Sequence, residues 1–204
     1  MRRPLAKRAL DVVGASALLI LLLPLELIVL VAYAGDVLLS ARDRGPLLYR
    51  EPRISRGRTF GLLKFRTLRK DVLAHAAGHA RLLEADPANL TWLGRRVLKP
   101  WYLDELPQLW NVLRGDLSLV GPRPWPPELV EKQRAEGVTY RDELSAGLTG
   151  LAQLSKGSGR RYADLDLEYR DRTSRLGSWG ILRYDLGILI RTIRVLARGE
   201  GLSN

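Results

Sequence analysis

The chain has no cysteine, so it holds no disulfide framework and no thiolate-bound metal, which suits a reducing compartment. Histidine is nearly absent. His75 and His79 stand four residues apart in a stretch that reads as helix, but no HExxH pattern and no further ligand cluster accompany them, so no metal site is expected there. Neither a Walker nor a Rossmann fingerprint occurs. Internal repeats and a low-complexity tail are missing as well. These absences exclude a disulfide-stapled scaffold and the two commonest nucleotide loops.

What is present is positive charge: 33 Lys+Arg against 22 Asp+Glu, a formal net charge of +11. Such a balance favours polyanionic partners, whether nucleic acid, anionic lipid or phosphorylated metabolites. The 204 residues suffice for one domain with a sizeable core, or for a small domain plus an anchor.

Arg2, Arg3, Lys7 and Arg8 precede an apolar run from Val12 to Ala34. The run is long enough to cross a hydrocarbon core of about 30 Å as a straight helix. Three features argue against a plain span. Pro24 removes the hydrogen bond to the Ile20 carbonyl and kinks the helix. Glu26 would sit near mid-bilayer, at about 2.5–3.5 kcal/mol on insertion scales. Basic residues flank both ends, with Arg42, Arg44, Arg50 and Arg53 following, whereas a spanning helix should show a bias. The predicted form is a re-entrant helix that enters, bends at Leu23-Pro24 and returns to the same face. A spanning helix ranks second. A signal peptide ranks third, because the run is too long and no small-x-small site follows it.

From Gly45 to Leu68 the texture predicts a hairpin. Leu47–Tyr49 and Phe60–Phe65 flank Arg56-Gly57-Arg58, and the hairpin carries Arg53, Arg56, Arg58, Lys64 and Arg66. Such a cluster can hold lipid headgroups or a diphosphate; for Arg56 and Arg58 taken alone, an ordinary solvated hairpin is the better reading. Lys64 and Arg66 alternate with Phe65 and should point away from the ring. Lys70 to Asp86 reads as one helix. Pro126-Pro127 followed by Glu128 to Glu136 reads as a turn and a short polar helix. Leu144 to Leu154 reads as a glycine-rich strand and turn where backbone comes close to a ligand. Lys156 to Arg161 is a basic loop, Asp164 to Arg175 a charged helix, and Asp185 to Arg198 a basic amphipathic helix that suits either a membrane surface or a core.

The chemistry concentrates between Leu103 and Pro124. Pro107 is tolerated only in the first turn of a helix, so a helix should begin near Asp104 and end at Gly115. Asp104 and Glu105 would then lie at its positive end, where an anion or metal site is favoured. On spacing alone, an N-cap and a first-turn acid are the better account of the pair.

Taken together, these stretches resemble the small monotopic phosphoglycosyl transferases of bacteria, the initiating sugar transferases of glycan assembly. The resemblance is carried by Lys7-Arg8, Asp11, Pro24, Gly45-Pro46 and Lys64-Phe65-Arg66-Thr67. It continues in Asp104-Glu105-Leu106-Pro107-Gln108-Leu109, Asn111-Val112-Leu113, the run Gly115 to Pro124, and Gly147 to Gln153. It implies an α+β, mostly helical fold: a re-entrant membrane helix over residues 1–40 kinked at Pro24, then a catalytic domain over 41–204 with amphipathic surface helices and a small αβ core. The place implied is the cytosolic face of the bacterial inner membrane.

The activity implied is transfer of a phosphosugar from a UDP-sugar to polyprenol (undecaprenyl) phosphate with release of UMP. By this resemblance Asp104 is the nucleophile and a ligand of Mg²⁺, and Glu105 a base or positioner. Arg123, Lys99, Lys64 and Arg66 hold phosphate oxygens. The partners implied are the two substrates and a phospholipid membrane, with no nucleic acid; a homodimer stays open. The rival reading is a membrane-tethered basic binding or scaffold protein without catalysis. The chain departs from the family pattern in four places. Lys99 stands where arginine is usual, Tyr102 where a small hydroxyl residue is usual, and Ala146-Gly147 where Pro-Gly is usual. The usual Gly-Arg-Asn is missing from Leu154 to Ser158, a change that concerns nucleotide and sugar contacts.

Overall fold

The computed structural model describes residues 4–74, 80–155 and 159–198. Helix α1 (Leu5–Leu39) runs past Pro24 as one helix, longer than the apolar run at both ends. Two compact units share the chain: residues 17–52 with 61–110, and residues 1–16 with 53–60 and 111–204.

In the unit built from residues 17–52 and 61–110, α1 packs one side and leaves the rest exposed. Val29 is fully buried and clusters with Phe65, Leu93 and Leu98; Ala32, Tyr33, Leu47, Val97, Leu103 and Leu106 close over them. Ile20, Leu21, Ile28 and Val31 are exposed. Such a surface of aliphatic side chains has no counterpart on an ordinary soluble helix. Glu26 is half-buried and lies three residues before Val29, on the packed side of the helix. The charge in mid-run thus faces protein. Tyr33 donates its hydroxyl proton to the Gly45 carbonyl, tying the helix to the chain that leaves it.

Strands β1 (Leu48–Ser55) and β2 (Arg58–Phe65) form the hairpin that the sequence predicts. Arg56 and Gly57, at φ 52° and 71°, make the two-residue turn, both in the left-handed region that suits the twist of a hairpin. After β2 come α2 (Lys70–Leu73) and α3 (Ala80–Leu83); of the helix expected over Lys70 to Asp86, residues 75–79 lie outside the described residues, and Glu84 to Asp86 lie beyond the end of α3. His75 and His79 lie outside the described residues. Leu68 is the centre of a second small cluster with Tyr49, Val72, Leu73, Leu83 and Leu90. A π-turn (Gly94–Leu98) and a 3-10 turn (Leu103–Glu105) then lead into α4 (Gln108–Arg114).

The other unit is arranged around a parallel pair, β3 (Ser118–Val120) and β4 (Gly147–Thr149), in the register Ser118↔Gly147 and Val120↔Thr149. The glycines explain this contact. A Cβ on Gly147 would overlap the Gly121 amide nitrogen, and one on Gly150 the Gly121 carbonyl oxygen. The close approach that the glycine-rich stretch announces is thus to another strand of the same chain. Helices α5 (Pro127–Ala135), α6 (Tyr140–Glu143), α7 (Leu151–Leu154), α8 (Tyr162–Ser174) and α9 (Ser178–Ala197) surround the pair. Residues 156–158 of the basic loop lie outside the described residues.

The basic start of the chain does not act as a plain membrane flank. Lys7 is 7% exposed; its ammonium donates to the Val120 carbonyl at 2.9 Å and pairs with Asp185. Arg8 donates to the carbonyls of Val112 and Leu113, satisfying the open C-terminal end of α4. Asp11 accepts from Ser118 Oγ at 2.9 Å and from the Leu119 amide at 2.7 Å. The charge symmetry used to infer a re-entrant helix is weakened, since these groups hold β3 and α4. Arg2 and Arg3 lie outside the described residues.

Candidate active site

The acidic pair sits on a short irregular stretch rather than at a helix start. Expected to open a helix, Asp104 and Glu105 lie instead in the 3-10 turn, and α4 begins at Gln108, just after Pro107. Proline lacks the amide proton needed to extend the helix backwards. At the far end Gly115, at φ 91°, closes α4 as the sequence predicts. Immediately before the pair, Tyr102 is held at φ 54° and ψ 24°. For a side chain other than glycine this costs about 1–3 kcal/mol, stored where the chain is aimed at a site.

Asp104 is 2% exposed, and its Oδ2 receives the Lys99 ammonium at 2.9 Å. The same ammonium reaches Glu84 Oε2 at 2.6 Å, and Glu84 Oε1 accepts from Thr67 Oγ1 at 2.7 Å. Burial pushes the Asp104 carboxyl above its ordinary range and Glu105 adds to the rise, while Lys99 and Lys64 oppose it. For Lys99, burial works to lower the pKa; the Asp104 and Glu84 carboxylates outweigh it and hold the ammonium above its usual value. Two carboxylates on one ammonium leave net negative charge, so the group keeps its proton. Glu84 was not singled out in the sequence, because only folding brings it to Lys99.

The Lys64-Phe65-Arg66-Thr67 string now divides by role. Lys64 pairs with buried Glu51 at 3.3 Å and acts electrostatically on Asp104. Phe65 is core, and Thr67 holds Glu84. Arg66, 3% exposed, spends its guanidinium on the carbonyls of Pro46 (2.8 Å), Leu68 (2.8 Å) and Asp43 (2.5 Å). It shapes the chain around the hairpin. Gly94 lets the backbone come against Thr67: a Cβ there would lie 2.5 Å from the Thr67 carbonyl oxygen and 2.9 Å from Thr91 Oγ1.

In the other unit, Arg123 is exposed, and its carbonyl is held by Arg141 Nη1 at 2.6 Å. Arg141 also pairs with Asp166 at 3.0 Å, both side chains 4% exposed, and stacks over Trp125 at 4.3 Å. Tyr140 donates to Asp166 at 2.8 Å. Burial raises the Asp166 carboxyl to about 6 against the pull of Arg141 and Tyr140. The hairpin tip is tied into the same unit, with the Arg56 amide on the Leu144 carbonyl and the Gly57 amide on that of Arg141.

Among the described residues no cluster of three or more His, Asp or Glu side chains could enclose a metal. Asp104, with neighbouring Glu105, would be the residue to offer an oxygen to a magnesium ion of the kind that takes one or two protein oxygens and completes its shell with water and substrate phosphates. Following α1, a cleft of about 370 Å³ is lined by Ala41, Arg42, Arg44, Lys70, Asp71 and Ala74.

The chain thus combines a buried carboxylate paired with lysine and a long apolar helix with exposed aliphatic side chains. The model of the bacterial sugar transferase family matches residues 2–199, and the chain belongs to that family. It is 35% identical over 212 residues to the UDP-galactose-lipid carrier transferase of Erwinia amylovora, covering 96% of this chain and 41% of that protein. To the exopolysaccharide production protein ExoY of Rhizobium meliloti it is 35% identical, covering 97% and 88%. To the UDP-glucose:undecaprenyl-phosphate glucose-1-phosphate transferase of Caulobacter vibrioides it is 36% identical, covering 93% and 68%. The chain spans about two fifths of the length of several relatives, the Erwinia protein among them.

Proposed function

We propose that the protein moves a sugar-1-phosphate from a UDP-sugar to undecaprenyl or a similar polyprenol phosphate, as the first membrane step of a glycan such as an exopolysaccharide or capsule. The observation that carries this reading is the Asp104 carboxylate, 2% exposed and bonded to Lys99 at 2.9 Å. It is joined to the names of the relatives, of which the Caulobacter protein's contains both UDP-glucose and undecaprenyl phosphate.

Chemically, an Asp104 oxygen attacks the β-phosphorus of the donor. The bond from that phosphorus to the bridging oxygen breaks, UMP leaves with the electron pair, and a phosphosugar–aspartyl ester remains. A phosphate oxygen of the polyprenol phosphate then attacks the same phosphorus. The bond to Asp104 breaks, restoring the carboxylate and giving a polyprenyl diphosphate sugar. Two displacements make the kinetics ping-pong. Lys99 and Lys64 supply positive charge for the transferring phosphoryl oxygens, and Glu105 positions the acceptor or takes its proton. The Arg123 guanidinium is assigned to a phosphate oxygen, which its fork can bind bidentately. Arg66, already committed to three carbonyls, shapes the site. Asp104 would hold Mg²⁺, which would supply neutralising charge for the phosphates facing the nucleophile.

The acceptor is a lipid, so the site must work at a membrane. Exposed Ile20, Leu21, Ile28 and Val31 on α1 support insertion into a membrane, and the proposed form is a re-entrant helix on the cytosolic side. Helix α9 supports surface contact. Ile181, Asp185 and Ile188 face the core, while Trp179, Leu186, Ile190 and Ile193 form a second, exposed apolar stripe, the profile of a helix seated in an interface.

The test is UMP release from a panel of UDP-sugars with and without polyprenol phosphate. Wild type should release stoichiometric UMP from donor alone and carry a phosphosugar on Asp104, and chelation of divalent ions should stop both. Asp104→Asn should abolish both and leave membrane association intact. Full turnover in that variant would overturn the nucleophile, and no UMP from any donor would favour the scaffold reading.

A further inference from the structure

Lysine is a poor residue for fixing a phosphate by itself. Its ammonium is a compact point charge on a flexible stem, without the fork by which arginine orients itself. Beside a buried carboxylate it has an easier option, which is to close onto that carboxylate and neutralise it. Whatever keeps Lys99 useful must compete with Asp104 for it.

We propose that Glu84 is a positioning residue for phosphoryl transfer: it holds the Lys99 ammonium as a second acceptor, so that the charge stays beside Asp104 without being given over to it. The inference rests on the proposed reaction. Lys99 Nζ lies 2.6 Å from Glu84 Oε2 and 2.9 Å from Asp104 Oδ2. Glu84 thus makes the shorter contact. It is itself anchored, since its other oxygen accepts from Thr67 Oγ1 at 2.7 Å. Thr67 is 4% exposed, and its carbonyl receives the Thr91 amide at 2.8 Å, in the close approach that Gly94 permits. The chain of contact therefore ends in rigid backbone.

An ammonium has three N–H groups. Among the described residues two go to the carboxylates, and the third is free to meet an incoming phosphate oxygen. When the diphosphate binds, the lysine exchanges Asp104 for phosphate by a small rotation about a point held at Glu84. Asp104 is then released as a nucleophile at the moment its target is in place. Without Glu84 the ammonium pairs one-to-one with Asp104, and the exchange costs a full ion pair.

Glu84→Gln keeps the shape and the acceptor for Thr67 but removes the charge that attracts Lys99. Donor-only UMP release should slow about thirtyfold, about 2 kcal/mol at tenfold per 1.4 kcal/mol and within the range of a hydrogen bond to a charged group. The loss should appear in the single-turnover rate constant at saturating donor, with the UDP-sugar concentration for half-maximal rate changed less than about threefold and the melting temperature unchanged. In a Lys99→Arg background, where the guanidinium fork can reach Asp104 and phosphate together, the same substitution should cost less than about threefold. Equal losses in both backgrounds would overturn the inference, as would a loss matched by a fall in melting temperature, or no loss. Wild type that released no UMP from any UDP-sugar would instead overturn the reaction on which the inference rests.

Discussion

Asp166 carries the most tractable pH dependence in the protein. Its carboxyl lies in the unit that holds Arg123, 4% exposed, paired with Arg141 at 3.0 Å and accepting from the Tyr140 hydroxyl. Burial raises its pKa from 3.8 to about 6. In the folded protein the proton is therefore bound more tightly than in the unfolded chain. Its stabilising effect is fully present below about pH 3.8 and is lost as the pH rises through about 6. The difference of about two pK units corresponds to about 3 kcal/mol at 1.36 kcal/mol per unit, or roughly 6–12 °C of melting temperature for a chain of this size. The perturbation is Asp166→Asn, which keeps the shape and cannot titrate. Melting the purified protein in detergent between pH 4 and pH 7, wild type should lose about 2.4 kcal/mol of that stabilisation relative to the variant across the interval. Breaking the pair adds a further cost to the variant that hardly depends on pH, since Arg141 keeps its charge and its bonds to the Arg123 carbonyl and Gln133. A wild-type-minus-variant difference that did not change with pH would refute the reasoning.

Gly94→Ala should destabilise the protein by about 3 kcal/mol, because its Cβ would meet backbone at 2.5 Å and overpacked cores give way at that scale; a variant melting with wild type would refute the contact. The same variant should lose turnover, as Thr67 shifts and carries Glu84 with it. Ile190→Asp together with Ile193→Asp should weaken co-sedimentation with vesicles tenfold or more, since these side chains are 49% and 66% exposed and their burial in lipid is worth about 1.5–3 kcal/mol each when complete; unchanged sedimentation would return α9 to a purely structural role. Cysteines at Leu5 and Arg42 should both be labelled from the cytosolic side if the helix re-enters, and from opposite sides if it spans.

Much of the local structure could be read directly from neighbouring residues. The hairpin turn at Arg56-Gly57, the end of α4 at Gly115 and the start of α5 beside Pro126-Pro127 each follow from what glycine and proline permit within a few bonds. The acidic pair was legible for the same reason, as a motif of adjacent residues. The family, too, could be recognised from contiguous strings and agrees with the comparison.

What the chain order could not convey is which charges are spent inside the protein. Lys7, Arg8 and Arg66 read as surface cations awaiting lipid or phosphate, yet each is committed to carbonyls or a carboxylate from residues far along the chain or around a bend. Glu84 was invisible as a partner of Lys99, and α9 showed one apolar face where folding makes two. The physical reason is common to all of these. Helix and turn preferences are decided by atoms a few bonds apart, whereas the use of a long charged side chain depends on which desolvated acceptors packing brings within about 3 Å, and that is settled only when the tertiary structure closes.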